Sequence, residues 1–272
     1  MWQTVVLIPK GKREYRGIGL VEVTWKVVAA ILHLRLTKGI TFHDALHGFW
    51  EGRGTGTATL EAKLLQRLAA MREEVLYVIF LDLTKEYDAL ERSRSMEILK
   101  GYGVGDRLHR LLQEYWDRTT MVERAGGYYG KGFKGGRGVT QGDPLSPTIF
   151  NVVVDAVVRH WVTLAVTEAE TRGDWGREGR HQAALFYEDD GMLASSDPQW
   201  LKWEFTKLVG LFDRVGLNTN TGKTVSMTCR PCTAAGNRSE EAYRSIMAGE
   251  GPTFRERKRE TPPPPPFRNP RI

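Results

Sequence analysis

Apolar positions along the chain recur at two periods. Val75 to Leu81 (VLYVIFL) is an unbroken apolar run of strand length without alternation, the pattern of a central strand buried on both faces. The opening Val5 to Ile8 is also strand-forming. Gly11 punctuates it, and Lys10, Lys12, Arg13 and Arg16 crowd the connection to a second short strand. Val21 to Leu36 then shifts to the helical period, with Val27, Ile31 and Leu34 spaced for one buried face. After a loop at Gly52-Arg53-Gly54-Thr55-Gly56, Leu60 to Met71 repeats the helical pattern, with Leu60, Leu64, Leu65 and Leu68 on one side.

Beyond the central strand, Asp88 and Glu91 have the spacing of a capping box for a helix running to Lys100, with Gly101 and Gly103 to stop it. A helix follows over about 106–116, then a Gly-, Tyr- and Lys-rich hairpin with exposed aromatics between Val122 and Gly138. Ser146-Pro147 opens the next helix, whose apolar stripe is Ile149, Phe150, Val153, Val154, Val157 and Trp161. Ala183 to Tyr187 and Gly191 to Ala194 read as strands flanking Glu188-Asp189-Asp190, a hairpin signature, and Leu201 to Val215 as a last helix. Residues 233–272 are polar, then basic, then Pro-rich, and are expected to be disordered with polyproline II character. The chain begins inside a strand pattern, as a fragment of a longer, truncated copy would.

Composition narrows the partners. The 272 residues carry a formal charge of +6, which favours a polyanion because neutralised phosphates release counterions. No run reaches the roughly 18 consecutive apolar residues of a membrane span. There is no signal-peptide pattern, so no membrane partner is expected. The two cysteines, Cys229 and Cys232, make no disulfide framework, which points to a reducing, intracellular compartment. A structural zinc site needs about four ligands, and no Cys or His follows Cys232, so zinc at this pair is not expected.

The candidate chemistry lies in carboxylates. Asp82 closes the apolar strand and Asp189-Asp190 occupy a tight turn, where carboxylates at strand ends are costly unless a cation neutralises them. Magnesium takes oxygen ligands and keeps waters for substrate phosphates. Two such ions activate an attacking hydroxyl and stabilise a leaving oxygen. An Asp-Asp pair is equally at home in a hairpin turn with no metal.

Order and context separate the alternatives. FLDLTKEYDAL around Asp82 resembles the first aspartate block of the polymerase domain of reverse transcriptases, most closely the non-LTR retrotransposon branch. GVTQGDPLSPTIFN resembles its Gln-Gly block, FYEDDG its Tyr-x-Asp-Asp box, GLNTNTGKTVSM the block with a catalytic Lys, and LIPKGKREYRGIGL its basic fingers block. The likeness covers roughly residues 5 to 230.

The resemblance implies an α+β right-hand polymerase fold with an antiparallel palm sheet backed by helices. Fingers are expected at 1–74 and 102–138, and palm at 75–101 and 139–232. It implies RNA-directed DNA polymerase activity, with an RNA or DNA template, a primer and dNTP as partners. It also implies a thumb and accessory domains elsewhere in a full-length element. Asp82, Asp189 and Asp190 match the metal-binding aspartates for two Mg2+ ions, or Mn2+, with the Leu83 carbonyl as a further ligand. Lys10 and Arg16 match the basic residues on the incoming triphosphate, and Tyr87 matches the aromatic that excludes a ribose 2′-hydroxyl. Gln141 and Gly142 match the nucleotide-contacting pair, and Lys223 the general acid for pyrophosphate.

Three positions depart from that pattern. Glu188 stands where the family usually has a small or apolar residue, Glu86 where it commonly has Ala, and Gly17 where it generally has Pro. A carboxylate ~4 Å from a phosphate repels it by about 4 kcal/mol at an effective dielectric near 20. The alternative function is therefore a catalytically impaired retroelement remnant that keeps the fold and at most binds nucleic acid.

Overall fold

The computed structural model describes residues 2–10, 15–125, 127–172 and 183–230, with the backbone of 255–256. Two sheets organise the chain. The central strand of the larger one is β3 (Leu76–Thr84). It pairs antiparallel with both β7 (Asp190–Ser195) and β9 (Val225–Cys229), and β6 (Ala183–Tyr187) pairs antiparallel with β7 on the far side. β8 (Asn218–Thr219) joins β3 at Leu83 and Thr84, while β10 (Arg255–Glu256) adds parallel to β9.

The unbroken apolar run is explained by what covers each face of β3. Tyr77, Ile79, Leu81 and Leu83 enter the main core. Helices α4 (Arg92–Gly101), α6 (Ser146–Thr171) and α7 (Pro198–Arg214) contribute to that core. Leu76 and Val78 enter a second cluster with Leu185, Met192, Ala194 and Ala69 of α2 (Thr55–Met71). Alternation disappears because both faces are buried.

The other sheet has the order β2 (Tyr15–Leu20), β1 (Trp2–Pro9), β4 (Thr120–Ala125), β5 (Tyr128–Tyr129), with β1 parallel to β4. Its hairpin aromatics are exposed, Tyr128 by 83% and Tyr129 by 63%. This mixed helix and sheet arrangement, with a six-stranded sheet antiparallel but for β10, is the α+β architecture expected from the sequence.

The apolar stripe of α6 is placed as the sequence predicts, with Ile149, Phe150, Val153, Val154, Val157 and Trp161 all buried. By length and mean hydropathy α6 also meets the requirement for a membrane span. Of its apolar window, 61% is buried inside the fold, where it is the central core helix.

Two helical stripes are placed differently. In α1 (Val23–Gly39) the buried residues are Trp25, Ala29, Leu32 and Leu36, and Val27, Ile31 and Leu34 face outward. Trp25 fixes this orientation. Its ring stacks on Tyr115 of α5 (Asp106–Arg118) and its Nε1 donates to Asp143 at 2.8 Å. In α2, Leu65 is partly buried but Leu60, Leu64 and Leu68 are exposed, because small Ala62 and Ala69 let the helix approach the sheet. This helix also begins earlier than its Leu-rich stretch, at Thr55, where Thr57 Oγ1 both accepts from the Gly54 amide and donates to its carbonyl.

The Asp88–Glu91 capping box does not form. Asp88 lies inside the short α3 (Glu86–Ala89), and Glu91 precedes α4 without a side-chain cap. Tertiary bonds claim the backbone instead. Val139 N donates to Tyr87 O at 2.7 Å, Gly138 N to Leu90 O at 2.8 Å, and Glu91 N to Val215 O at 2.9 Å. Residues 233–254 and 257–272 lie outside the described residues.

Candidate active site

The β6–β7 hairpin pairs Tyr187 with Asp190, leaving Glu188 and Asp189 as a two-residue turn. Such turns require positive φ, and Glu188 adopts it at 55°. Asp190 is the cross-strand partner of Asp82 on β3. Behind them Leu83 N donates to Asp189 O at 3.3 Å, and Asn220 N donates to Asp82 O at 2.7 Å. Strand register and backbone bonds thus bring the three aspartates to one end of the larger sheet.

The charges there are out of balance. Asp82 Oδ1 lies 3.4 Å from Lys223 Nζ, whereas its Oδ2 is buried without a hydrogen-bond partner. Burial raises the Asp190 carboxyl above the ordinary carboxylate range, with Asp189 and Asp82 adding to the shift and Lys223 opposing it. Glu188 is raised by burial and by Asp189 and Asp190, against Arg16. A bare acceptor oxygen beside crowded carboxylates suits a hard divalent cation. Among the described residues no set of three His, Cys, Asp or Glu side chains is arranged to hold a metal ion alone. A cation here would therefore complete its shell with backbone, water or substrate oxygens.

A cleft of about 420 Å3 opens beside the aspartates. Lys10, Arg16, Leu83, Tyr87, Gln141, Asp189 and Lys223 line it. Tyr87 is buried and stacks on Phe150 with centroids 5.5 Å apart, so its ring is held from behind. Gly142 does not line the cleft. Its φ is 103°, and a Cβ there would sit 2.8 Å from the Gly19 carbonyl oxygen, so the close approach it allows is to β2. Gly19 N donates to Gln141 O at 2.7 Å, which ties the Gln-Gly loop to that strand.

Sequence reasoning missed several participants. Lys85, Asp88 and Asn220 also line the cleft. Lys85 has left-handed backbone at the start of α3, a conformation no local pattern announces. Asp143 is buried. It accepts from Trp25 Nε1 and from Leu145 N, and burial raises its carboxyl, so it anchors the Gln-Gly loop from below. Its place directly after Gln141-Gly142 was the available signal. Cys229 sits half-buried in β9 opposite Leu76, and Cys232 lies outside the described residues.

The family model described as reverse transcriptase (RNA-dependent DNA polymerase) matches residues 8–254. The chain belongs to that family.

Relatives of this reverse transcriptase chain include the Pol polyprotein of the type-2 retrotransposable element R2DM of Drosophila melanogaster. It is 28% identical over 233 residues, covering 83% of this chain and 21% of the relative. The Pol polyprotein of the type-1 element R2 of Popillia japonica is 26% identical over 231 residues, covering 82% and 31% respectively. Both place the chain on the non-LTR retrotransposon side of the family, and it spans between about a fifth and a third of their length. Among solved structures, telomerase of Candida tropicalis, determined with a fragment of telomeric RNA, superposes with a TM-score of 0.59. The identity is 16%, over 84% of this chain and 41% of that one. Telomerase of Candida albicans gives 0.57 at 15% identity, over 83% and 42%. These likenesses show the right-hand polymerase fold.

Proposed function

We propose that the chain is the fingers and palm of an RNA-directed DNA polymerase that adds deoxynucleotides to a primer on an RNA or DNA template. The observation that carries this is the cleft in which Lys10, Arg16, Tyr87, Gln141 and Lys223 surround Asp189 at the end of the sheet. The smaller sheet and its flanks (1–74, 102–138) are the fingers, and the larger sheet with its helices (75–101, 139–232) is the palm.

Lys10, just past the end of β1, and Arg16 on β2 line the cleft and provide the positive charge that binds a triphosphate. Tyr87, packed on Phe150, is a rigid wall against a 2′-hydroxyl and so selects dNTP. Gln141 borders the same space. Lys223, beside Asp82, donates the proton that the leaving pyrophosphate needs. Asp82, Asp189 and Asp190, with the Leu83 carbonyl, would hold two Mg2+ or Mn2+ ions. Ions at that site would supply activation of a hydroxyl and neutralisation of phosphate charge.

Primer extension on poly(rA)/oligo(dT) with Mg2+ tests the reading. Incorporation is expected from the wild-type chain, and incorporation that survives Asp189→Asn overturns the assignment. Comparing dNTP with rNTP use in Tyr87→Ala tests the sugar selection, with relaxed selection expected.

Glu188 supports a second reading, a catalytically impaired remnant that binds nucleic acid only. It is a fourth carboxylate beside Asp82, Asp189 and Asp190, raised by burial and its neighbours. That reading predicts dNTP incorporation by Glu188→Ala where the wild-type chain gives none.

A further inference from the structure

Along α6, Asn151, Asp155 and Arg159 recur at i, i+4 and i+8, a polar row on one side of the core helix. Each reaches the backbone of one irregular segment. Arg159 Nη2 donates to the Thr41 carbonyl at 2.7 Å, Asp155 Oδ1 accepts from the His43 amide, and Asn151 Nδ2 donates to the Gly48 carbonyl at 2.6 Å. Helix order and segment order run oppositely, so the three bonds lay residues 41–48 antiparallel along the helix. Asp155 is fully buried, and its other oxygen accepts from Tyr102 Oη and Arg159 Nε. A buried carboxylate so fully bonded fixes its partners, because losing any one leaves a buried polar group unmet.

The same segment grips the strand that ends in the catalytic turn. Phe186 N donates to Ala45 O at 2.7 Å, and His47 N donates to Phe186 O at 2.8 Å. Strand β6 is at the edge of the larger sheet, so these bonds supply a neighbour where the sheet has none. His47 is itself buried. Its Nδ1 is 2.9 Å from Thr57 Oγ1, and its Nε2 is 3.2 Å from Glu61 Oε2, both on α2. The segment ends against the turn. A Cβ on Gly48 would sit 2.8 Å from the Glu188 amide nitrogen and 3.6 Å from its Cα.

We propose that residues 41–48 are a strap that sets the position of the metal-binding turn. Asn151, Asp155 and Arg159 act as positioning residues, and Gly48 is the point of contact. The proposal rests on the reading of Asp189 and Asp190 as metal ligands. Glu188 holds the left-handed backbone that its two-residue turn requires, a conformation costly for a non-glycine residue and one that a packed neighbour helps to hold. Gly48 of the strap meets that residue from outside the hairpin. Second-sphere supports of this kind tune metal affinity without touching the ion.

The experiment is a Mn2+ titration of the purified chain, followed by loss of the free-ion EPR signal, with a thermal melt of each variant. Wild type is expected to bind, and Asp189→Asn to bind far more weakly. Gly48→Ala and Asn151→Ala are each expected to weaken Mn2+ binding by roughly tenfold or more, as loss of a second-sphere support does. Leu112→Ala, a core deletion in α5, which contributes nothing to the cleft, is expected to lower the melting temperature and leave Mn2+ affinity unchanged. Wild-type affinity in Gly48→Ala and Asn151→Ala, beside a loss in Asp189→Asn, overturns the strap. So does weakening that Leu112→Ala reproduces at an equal drop in melting temperature. If Gly48→Ala does not fold, Asn151→Ala decides. A wild-type chain that takes up no Mn2+ overturns the metal-site reading itself.

Discussion

The two sheets bring different residues to one cleft under opposite conditions of burial. In the larger sheet, β3 has Ile79 at 0% exposure on one face and Val78 at 3% on the other, and the aspartates sit at the end of this rigid plank. In the smaller sheet Trp2, Ile8, Tyr15 and Leu20 are all exposed, and Lys10 and Arg16 reach the cleft from it. In the proposed reading the aspartates bind metal, which needs fixed geometry, and packing on both faces supplies it. Groups that grip a polyanion need charge and reach more than fixed placement, and a lightly packed sheet serves.

The sharpest way to break this comparison is at the aspartates. Asp190→Asn is expected to lower primer-extension rate about a thousandfold, the equivalent of roughly 4 kcal/mol, with melting temperature little changed. Retention of activity would place the chemistry elsewhere. Next in size is the packing contrast. Ile79→Ala is expected to cost about 2–5 kcal/mol of stability, against about 0.5 kcal/mol or less for Leu20→Ala, read from chemical denaturation midpoints. Equal losses would mean that both sheets are equally supported. Arg16→Ala should separate binding from chemistry. We expect KM for dNTP to rise about tenfold, the loss of one charge-assisted contact, with kcat changed far less.

A pH dependence in the rigid half is a further test. Glu204 of α7 is almost fully buried, and burial raises its carboxyl well above the ordinary range. A folded-state pKa above the unfolded one means that the folded chain keeps a proton the unfolded chain has lost. The associated stability is whole below the unfolded value near 4.5 and declines as pH rises from there towards the folded value. Within that window the slope is about 1.4 kcal/mol per pH unit. Glu204→Gln should remove the decline, so denaturation midpoints of the variant and wild type should diverge in the variant's favour as pH rises. Parallel curves would show that Glu204 is not buried in solution.

Much of this was legible in the sequence, for local reasons. Strand and helix periods, Pro147 at a helix start and the ordered motif blocks are short-range signals, and they foretold β3, α6, the β6–β7 hairpin and most residues lining the cleft. What misled was equally specific. The stripe Val27, Ile31, Leu34 looked like a core face because it is apolar. The buried face instead carries Trp25 and Ala29, chosen by a ring stack on Tyr115 that lies far away in sequence. Asp88 and Glu91 had capping spacing, but backbone bonds from Gly138, Val139 and Val215 took precedence.

The sequence by itself determined the element types, which depend on spacing within a few residues, and its ordered motif blocks carried the resemblance that marked the family and the candidate carboxylates. Only the tertiary structure decided which helix face meets the core, that Gly142 presses on β2 rather than the cleft, and that a segment without regular structure braces the Glu188 turn. Those outcomes depend on hydrogen bonds and contacts between residues that are often more than a hundred apart, such as Asn151 with Gly48. No local period encodes them, because their energy appears only when the chain has closed on itself.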